Sequence, residues 1–156
     1  MHFKYWIFVI LALSLLFSGY IYSKSIVVND ISGTDNLGAG KLTLKGVTFL
    51  TELSPALEAA KAQGKPLFVY ARSDYCGWCK KFEAETFTNQ SVIKTLNENF
   101  ILVSIDVERQ KNETRNFRVH GTPAEIFLDS NGTEIKRIPG YTDTTTFLNT
   151  IKEIAR

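Results

Sequence analysis

The chain has 156 residues, 44% hydrophobic and 22% charged, ordinary material for one globular domain with a real core plus a tail. Its 18 basic and 16 acidic residues leave a net charge of +2, which implies no nucleic acid or other polyelectrolyte partner. Two cysteines are too few for a disulfide-stapled scaffold, so the fold must stand on its hydrophobic core and the pair is free to do chemistry.

The N-terminus opens on Met1-His-Phe-Lys4, followed by an uncharged apolar run from Tyr5 to Tyr22 that Lys24 closes. The run is close to the roughly 18–20 residues that cross a bilayer as a helix, and Tyr5, Trp6, Tyr20 and Tyr22 suit its interfaces. Residues 1–23 are therefore expected to be a signal anchor, with a cleaved signal peptide as the rival. Against cleavage, Ser18-Gly19 follows Phe17 and Ser23 has Ile21 two residues earlier, so neither is a small-x-small site. Lys4 and Lys24 nearly balance, but the short N-terminal tail favours a domain outside the cytoplasm, held at the cell membrane, or periplasmic or secreted if the segment is removed.

Residues 24–46 are rich in Gly, Ser, Thr, Asn and Asp, with β character only at Ile26-Val27-Val28 and at Leu42 and Leu44, and read as a linker or a peripheral strand. From Val47 the chain becomes regular. Ser54-Pro55 predicts an N-cap and first helical residue for a helix that runs to Gln63 and stops at Gly64. A strand over 66–71 follows, then a helix to about Phe87, another over 91–98, and a strand over 100–107 apolar enough to be central. A polar helical stretch over 112–117 leads to Gly121-Thr122-Pro123. Strands over 125–128 and 134–138 are joined by Asp129-Ser-Asn-Gly132, a strong hairpin signal. The chain closes in a helix whose Phe147, Leu148, Ile151 and Ile154 share one face.

Both cysteines lie two residues apart in Asp74-Tyr-Cys76-Gly-Trp-Cys79-Lys-Lys-Phe-Glu83, at the junction of the 66–71 strand with its following helix. Free N–H groups and the positive end of the helix dipole favour thiolate over thiol there, which makes Cys76 the candidate nucleophile. Cys79 is one turn on and can reach back to close a small ring, the geometry of reversible dithiol–disulfide exchange. Two plainer readings stand beside it. A zinc site needs about four ligands, and His2 and His120 are the only other soft candidates, so no metal is expected. A purely structural disulfide in so short a loop would restrain little of the unfolded chain.

This order of elements, with Cys76-Gly-Trp-Cys79-Lys-Lys-Phe-Glu83 and Gly121-Thr-Pro123-x-x-x-Phe-Leu-Asp-x-x-Gly132, resembles the thioredoxin-like superfamily from about residue 47 to the end. It is similar to the thioredoxin-fold thiol:disulfide oxidoreductases of cell envelopes and to the C-terminal domain of the transmembrane thiol:disulfide interchange reductase. The resemblance implies an α/β fold with a central mixed sheet flanked by helices, a cis Pro123 packed against the cysteines, and a Thr122 backbone that pairs with an extended substrate segment. It also implies protein disulfide substrates, an upstream thiol electron donor, no cofactor and a monomer.

Two departures from thioredoxins proper matter: Tyr70 stands where they carry a buried Asp, and Trp78 where they carry a Pro between the cysteines. Tyr70 reads as core. The proton acceptor is sought at Glu83, four residues past Cys79 on the same helical face, where the envelope reductase domain also has an acid. Burial would raise its pKa and suit it to take the Cys79 proton, whereas the bland alternative is a solvated Glu paired with Lys80 or Arg72. Tyr75 and Trp78 flank the sulfurs as a candidate apolar collar for substrate. The expected function is a membrane-tethered thiol:disulfide oxidoreductase that reduces disulfides in envelope proteins. A binding or chaperone module with incidental cysteines is the alternative.

Overall fold

The computed structural model describes residues 40–156. The apolar segment 5–22 and residues 24–39 of the expected linker lie outside the described residues. Among those described, no helix is long and apolar enough to cross a membrane.

Six strands form one sheet: β1 (Lys41–Leu44), β2 (Val47–Leu50), β3 (Leu67–Arg72), β4 (Ile101–Asp106), β5 (Ala124–Leu128) and β6 (Glu134–Pro139), in the order β1-β2-β4-β3-β5-β6. β4 runs parallel to β2 and β3, and the remaining pairs are antiparallel, so the sheet is mixed. Five helices cover it: α1 (Leu53–Gln63), α2 (Gly77–Thr86), α3 (Gln90–Asn99), α4 (Lys111–Asn116) and α5 (Thr144–Ile154).

The two-residue period of the strands divides the core. On one face Phe49, Phe68, Tyr70 and Phe127 pack with Phe82, Phe87, Val92, Leu96, Phe147 and Ile151 from α2, α3 and α5. On the other, Leu67, Val69, Val103, Ile105, Ile126 and Leu128 pack with Ala56 and Ala60 of α1. Every residue of β3 and β5 is buried, as a strand covered on both faces requires.

Local chemistry accounts for most of the element ends. Asn89 caps α3 by accepting from the Ser91 and Val92 N–H groups, and Asp143 caps α5 by accepting from Thr145 and Thr146. Gly64 ends α1 in the left-handed region, as expected. The start of α1 differs from the expectation at Ser54: the helix begins at Leu53, Glu52 precedes it with no side-chain cap, and Pro55 falls on the third helical residue. Proline is tolerated there because the N–H groups of a first turn have no intrahelical partner.

A strand also lies ahead of Val47. β1 and β2 pair from Lys41↔Leu50 to Leu44↔Val47 around Lys45-Gly46. Gly46 is held close against the end of α2: its N–H donates to Phe87 O at 3.1 Å, and a Cβ there would sit 2.6 Å from Ile93 Cδ1.

β3 and β5 are neighbours, with Ala71 opposite Ala124. The loop that leaves β3 for α2 and the loop that enters β5 therefore emerge side by side.

Candidate redox site

Those two loops carry the chemistry. Cys76 is the N-cap residue of α2, and its Sγ accepts from the Cys79 N–H at 2.9 Å, an oriented donor that stabilises negative charge on that sulfur. Cys76 and Cys79 are joined as a disulfide. Their surroundings differ: Cys79 is fully buried, whereas Cys76 is half-buried. From the other loop, Thr122 O lies 3.3 Å from Cys76 Sγ, and the Thr122–Pro123 bond is cis. An incoming group reaches Cys76 before Cys79 and meets the Thr122 backbone as it does.

Tyr75 and Trp78 are the most exposed large apolar side chains among the described residues, at 90% and 59%. Trp78 stacks obliquely on Tyr141, with ring centroids 5.4 Å apart, and Lys81 Nζ lies over both rings at 5.3 and 4.7 Å. Tyr141 is fixed in turn by donating to Glu85 Oε2 at 2.6 Å. The rim beside the sulfurs is thus aromatic, with a lysine laid across it.

Behind the disulfide, Glu83 is buried, and its Oε1 accepts from Arg72 Nε at 2.9 Å and from the Tyr70 hydroxyl at 3.2 Å. Arg72 is itself buried and also donates to Asp74 at 2.7 Å. The bond and charge of Arg72 hold the Asp74 carboxyl below the usual range. The two sequence readings of Glu83 therefore meet in one residue. It is both shielded from water and paired with Arg72. Lys80, the other partner considered, makes no ion pair among the described residues.

Tyr70 is core, as expected, but it does more than fill space. Its hydroxyl also lies 3.5 Å from Cys79 O, which links the sheet to the helix turn that carries the disulfide. Burial, reinforced by Glu83 and Glu125, pushes this phenol far above its ordinary range, so it serves as a donor only.

Glu125 is a residue that the sequence reading passed over as part of a strand. It is fully buried in β5, directly opposite Tyr70, and neither carboxyl oxygen has a hydrogen-bond partner. Burial pushes it up to about 8, with its own backbone N–H the only opposing influence. The available signal was an acidic residue two places after Thr122-Pro123 in a strand otherwise wholly apolar.

A disulfide at the N-terminal turn of a helix, one sulfur open and one enclosed, lies against a cis-proline loop on a mixed α/β sheet, an arrangement suited to thiol–disulfide exchange. The chain belongs to the thioredoxin-like family, whose domain description matches residues 53–155. It is 29% identical over 154 residues to the thiol:disulfide interchange protein DsbD of Actinobacillus pleuropneumoniae serotype 5b (strain L20), covering 94% of this chain and 26% of that protein. It is 38% identical over 102 residues to DsbD of Yersinia pestis (strain Pestoides F), covering 60% of this chain and 17% of that one. The chain thus spans about a quarter or less of the length of these relatives. Among solved structures, a thioredoxin from Thermus thermophilus superposes with a TM-score of 0.61 at 26% identity, covering 67% of this chain and 84% of that one. The DsbH oxidoreductase shares the fold at a TM-score of 0.58 and 20% identity, covering 78% of this chain and 93% of that chain.

Proposed function

We propose that the protein is a thiol:disulfide oxidoreductase that reduces disulfides in proteins of the cell envelope, tethered to the membrane through residues 5–22. The observation that carries this reading is the asymmetry of the pair: Cys76 is approachable and receives an N–H at 2.9 Å, while Cys79 is enclosed.

In the dithiol form, the Cys76 thiolate attacks one sulfur of a substrate disulfide. A Cys76–substrate bond forms, the substrate S–S bond breaks, and one substrate thiol leaves with a proton. The Thr122 backbone aligns the extended substrate segment, and Tyr75 and Trp78 surround it. Cys79 then gives up its proton and attacks Cys76 Sγ, releasing the second substrate thiol and closing the Cys76–Cys79 disulfide. The substrate gains two electrons and two protons, and the dithiol loses them.

Glu83 is the acceptor for the Cys79 proton. Both of its hydrogen bonds fall on Oε1, which leaves Oε2 for the proton. An upstream thiol donor restores the dithiol by the reverse exchange. The interchange proteins to which the chain is similar support this chemistry, and the reading extends it to an arrangement of anchor 1–23, linker 24–46 and catalytic domain 47–156.

The test is reduction of the interchain disulfides of insulin by the pre-reduced chain and by Cys76→Ser. Activity that the substitution abolishes is expected. Absent activity in the unaltered protein, or activity that survives the substitution, would leave a thioredoxin-like binding module. Protease treatment of intact spheroplasts tests the tether: the domain should be digested from outside while its N-terminal residues stay with the membrane. Recovery of a soluble species that starts near Ser23 would overturn the anchor.

A further inference from the structure

Glu125 has no role in the exchange described above, and the packing alone does not call for it. An apolar side chain of similar size would fill the same place without the cost of burying an unpaired carboxyl.

Its surroundings can be taken element by element. On β3 the in-register neighbour is Tyr70, and side chains opposite one another in a sheet project to the same face. That face lies under α2, where Phe82 joins Tyr70 in the core. The Tyr70 hydroxyl reaches Cys79 O and Glu83 Oε1. From β6 the facing residue is Ile138, and Lys136, further along, is committed to Glu153 of α5 at 3.0 Å. Phe147 and Ile151 of α5 add apolar cover to this face. Arg72 is occupied by Glu83 and Asp74. No cation reaches Glu125 among the described residues, and its link to the redox site runs through Tyr70, which lies opposite it in register and whose hydroxyl meets Cys79 O and Glu83 Oε1.

We propose that Glu125 is a positioning residue for the resolving step, acting across the Tyr70 side chain that joins its strand position to the Cys79 turn: neutral, it permits Cys79 to ionise, and ionised, it opposes the Cys79 thiolate and holds the dithiol back from closing. The inference rests on the reading of Cys76 and Cys79 as the redox pair. Two anions in an enclosed, low-dielectric space exclude one another, so the ionisations of Glu125 and Cys79 are coupled in both directions. With its proton bound up to about pH 8, Glu125 is silent in neutral solution and acts as the pH rises beyond that.

The test has two readouts on the full chain. The first follows the Glu125 carboxyl by NMR with 13C-labelled glutamate, its signal assigned by its loss in Glu125→Gln, through a pH titration of the oxidised and the dithiol forms. Coupling predicts a carboxyl that titrates higher in the dithiol form, by at least threefold in proton affinity. Superimposable titrations would overturn the proposal whether or not the chain reduces anything.

The second readout is the pH profile of insulin reduction. Unaltered protein and Glu125→Gln should agree within about twofold at pH 6.5, and the variant should be at least threefold faster at pH 9. Parallel profiles would also overturn it. If Glu125→Gln does not fold, Glu125→Met serves for the rate comparison, and the titration proceeds on the unaltered chain. Coupled titrations in a protein without reductase activity would instead sustain the coupling and overturn the proposed function.

Discussion

Replacing Arg72 by Met should be the most damaging single change near the site that leaves both cysteines in place. Arg72 and Glu83 are both buried and meet at 2.9 Å. Without the guanidinium, Glu83 keeps only the Tyr70 hydroxyl at 3.2 Å, and Tyr70 keeps a charged acceptor that nothing neutralises. Breaking a buried pair from one side costs about 3–5 kcal/mol, because the remaining charge stays desolvated. That is a large share of the roughly 5–15 kcal/mol that holds a domain folded. Removing both charges, as Arg72→Met with Glu83→Leu, leaves no stranded carboxylate and should return most of the loss. Urea denaturation of the oxidised chain at pH 7, followed by tryptophan fluorescence, reads each variant through its midpoint at unchanged slope. An Arg72→Met cost below about 1 kcal/mol, the range of an exposed pair, would refute the reasoning. So would a double variant that loses the sum of the two single changes.

Glu83→Gln should slow turnover by about tenfold, at or below the usual range for a general acid–base group, while Cys76 alkylation stays unchanged; turnover within twofold from pH 6 to 8 would leave water as the acceptor. Trp78→Ala should raise KM for a protein disulfide severalfold with little change in kcat, and a fall in kcat at constant KM would remove Trp78 from the substrate rim. Glu125 should make stability depend on pH. Its folded value of about 8 lies above the ordinary 4.5, so the folded chain holds the proton more tightly than the unfolded one. That contribution is fully present below about pH 4.5 and is lost as pH rises through about 8, up to roughly 5 kcal/mol at about 1.4 kcal/mol for each tenfold in proton affinity. Urea midpoints between pH 5 and 9 should therefore fall for the unaltered protein relative to Glu125→Gln, and parallel midpoints would contradict the buried, unpaired carboxyl.

Much of the fold was legible because its signals are local. Gly64, the Asp129–Gly132 turn and the face formed by Phe147 and Ile151 each act within a few residues. The place of Cys76 and Cys79 was legible because an apolar run before them and helically spaced Phe82 and Phe87 after them put the pair at a strand-to-helix junction. Ser54 misled because Ser-Pro is also a motif inside a first turn, and the chain entering from β2 begins the helix two residues earlier. The Arg72–Glu83 pair and the Glu125 carboxyl depend on how α2 and β5 dock against β3. Residues 72 and 83 share no periodicity, and only the pairing of β3 with β5 sets Glu125 opposite Tyr70.

Directionality of the pair is the central claim, and trapping tests it most directly. Cys79→Ser and Cys76→Ser variants of the full chain, expressed in the cell envelope and quenched with acid before alkylation, should differ sharply on non-reducing gels. Cys79→Ser leaves the approachable sulfur without its partner and should accumulate mixed disulfides with substrate proteins, whereas Cys76→Ser leaves only the enclosed sulfur and should accumulate few or none. Equal trapping by both variants, or trapping by Cys76→Ser alone, would contradict the account.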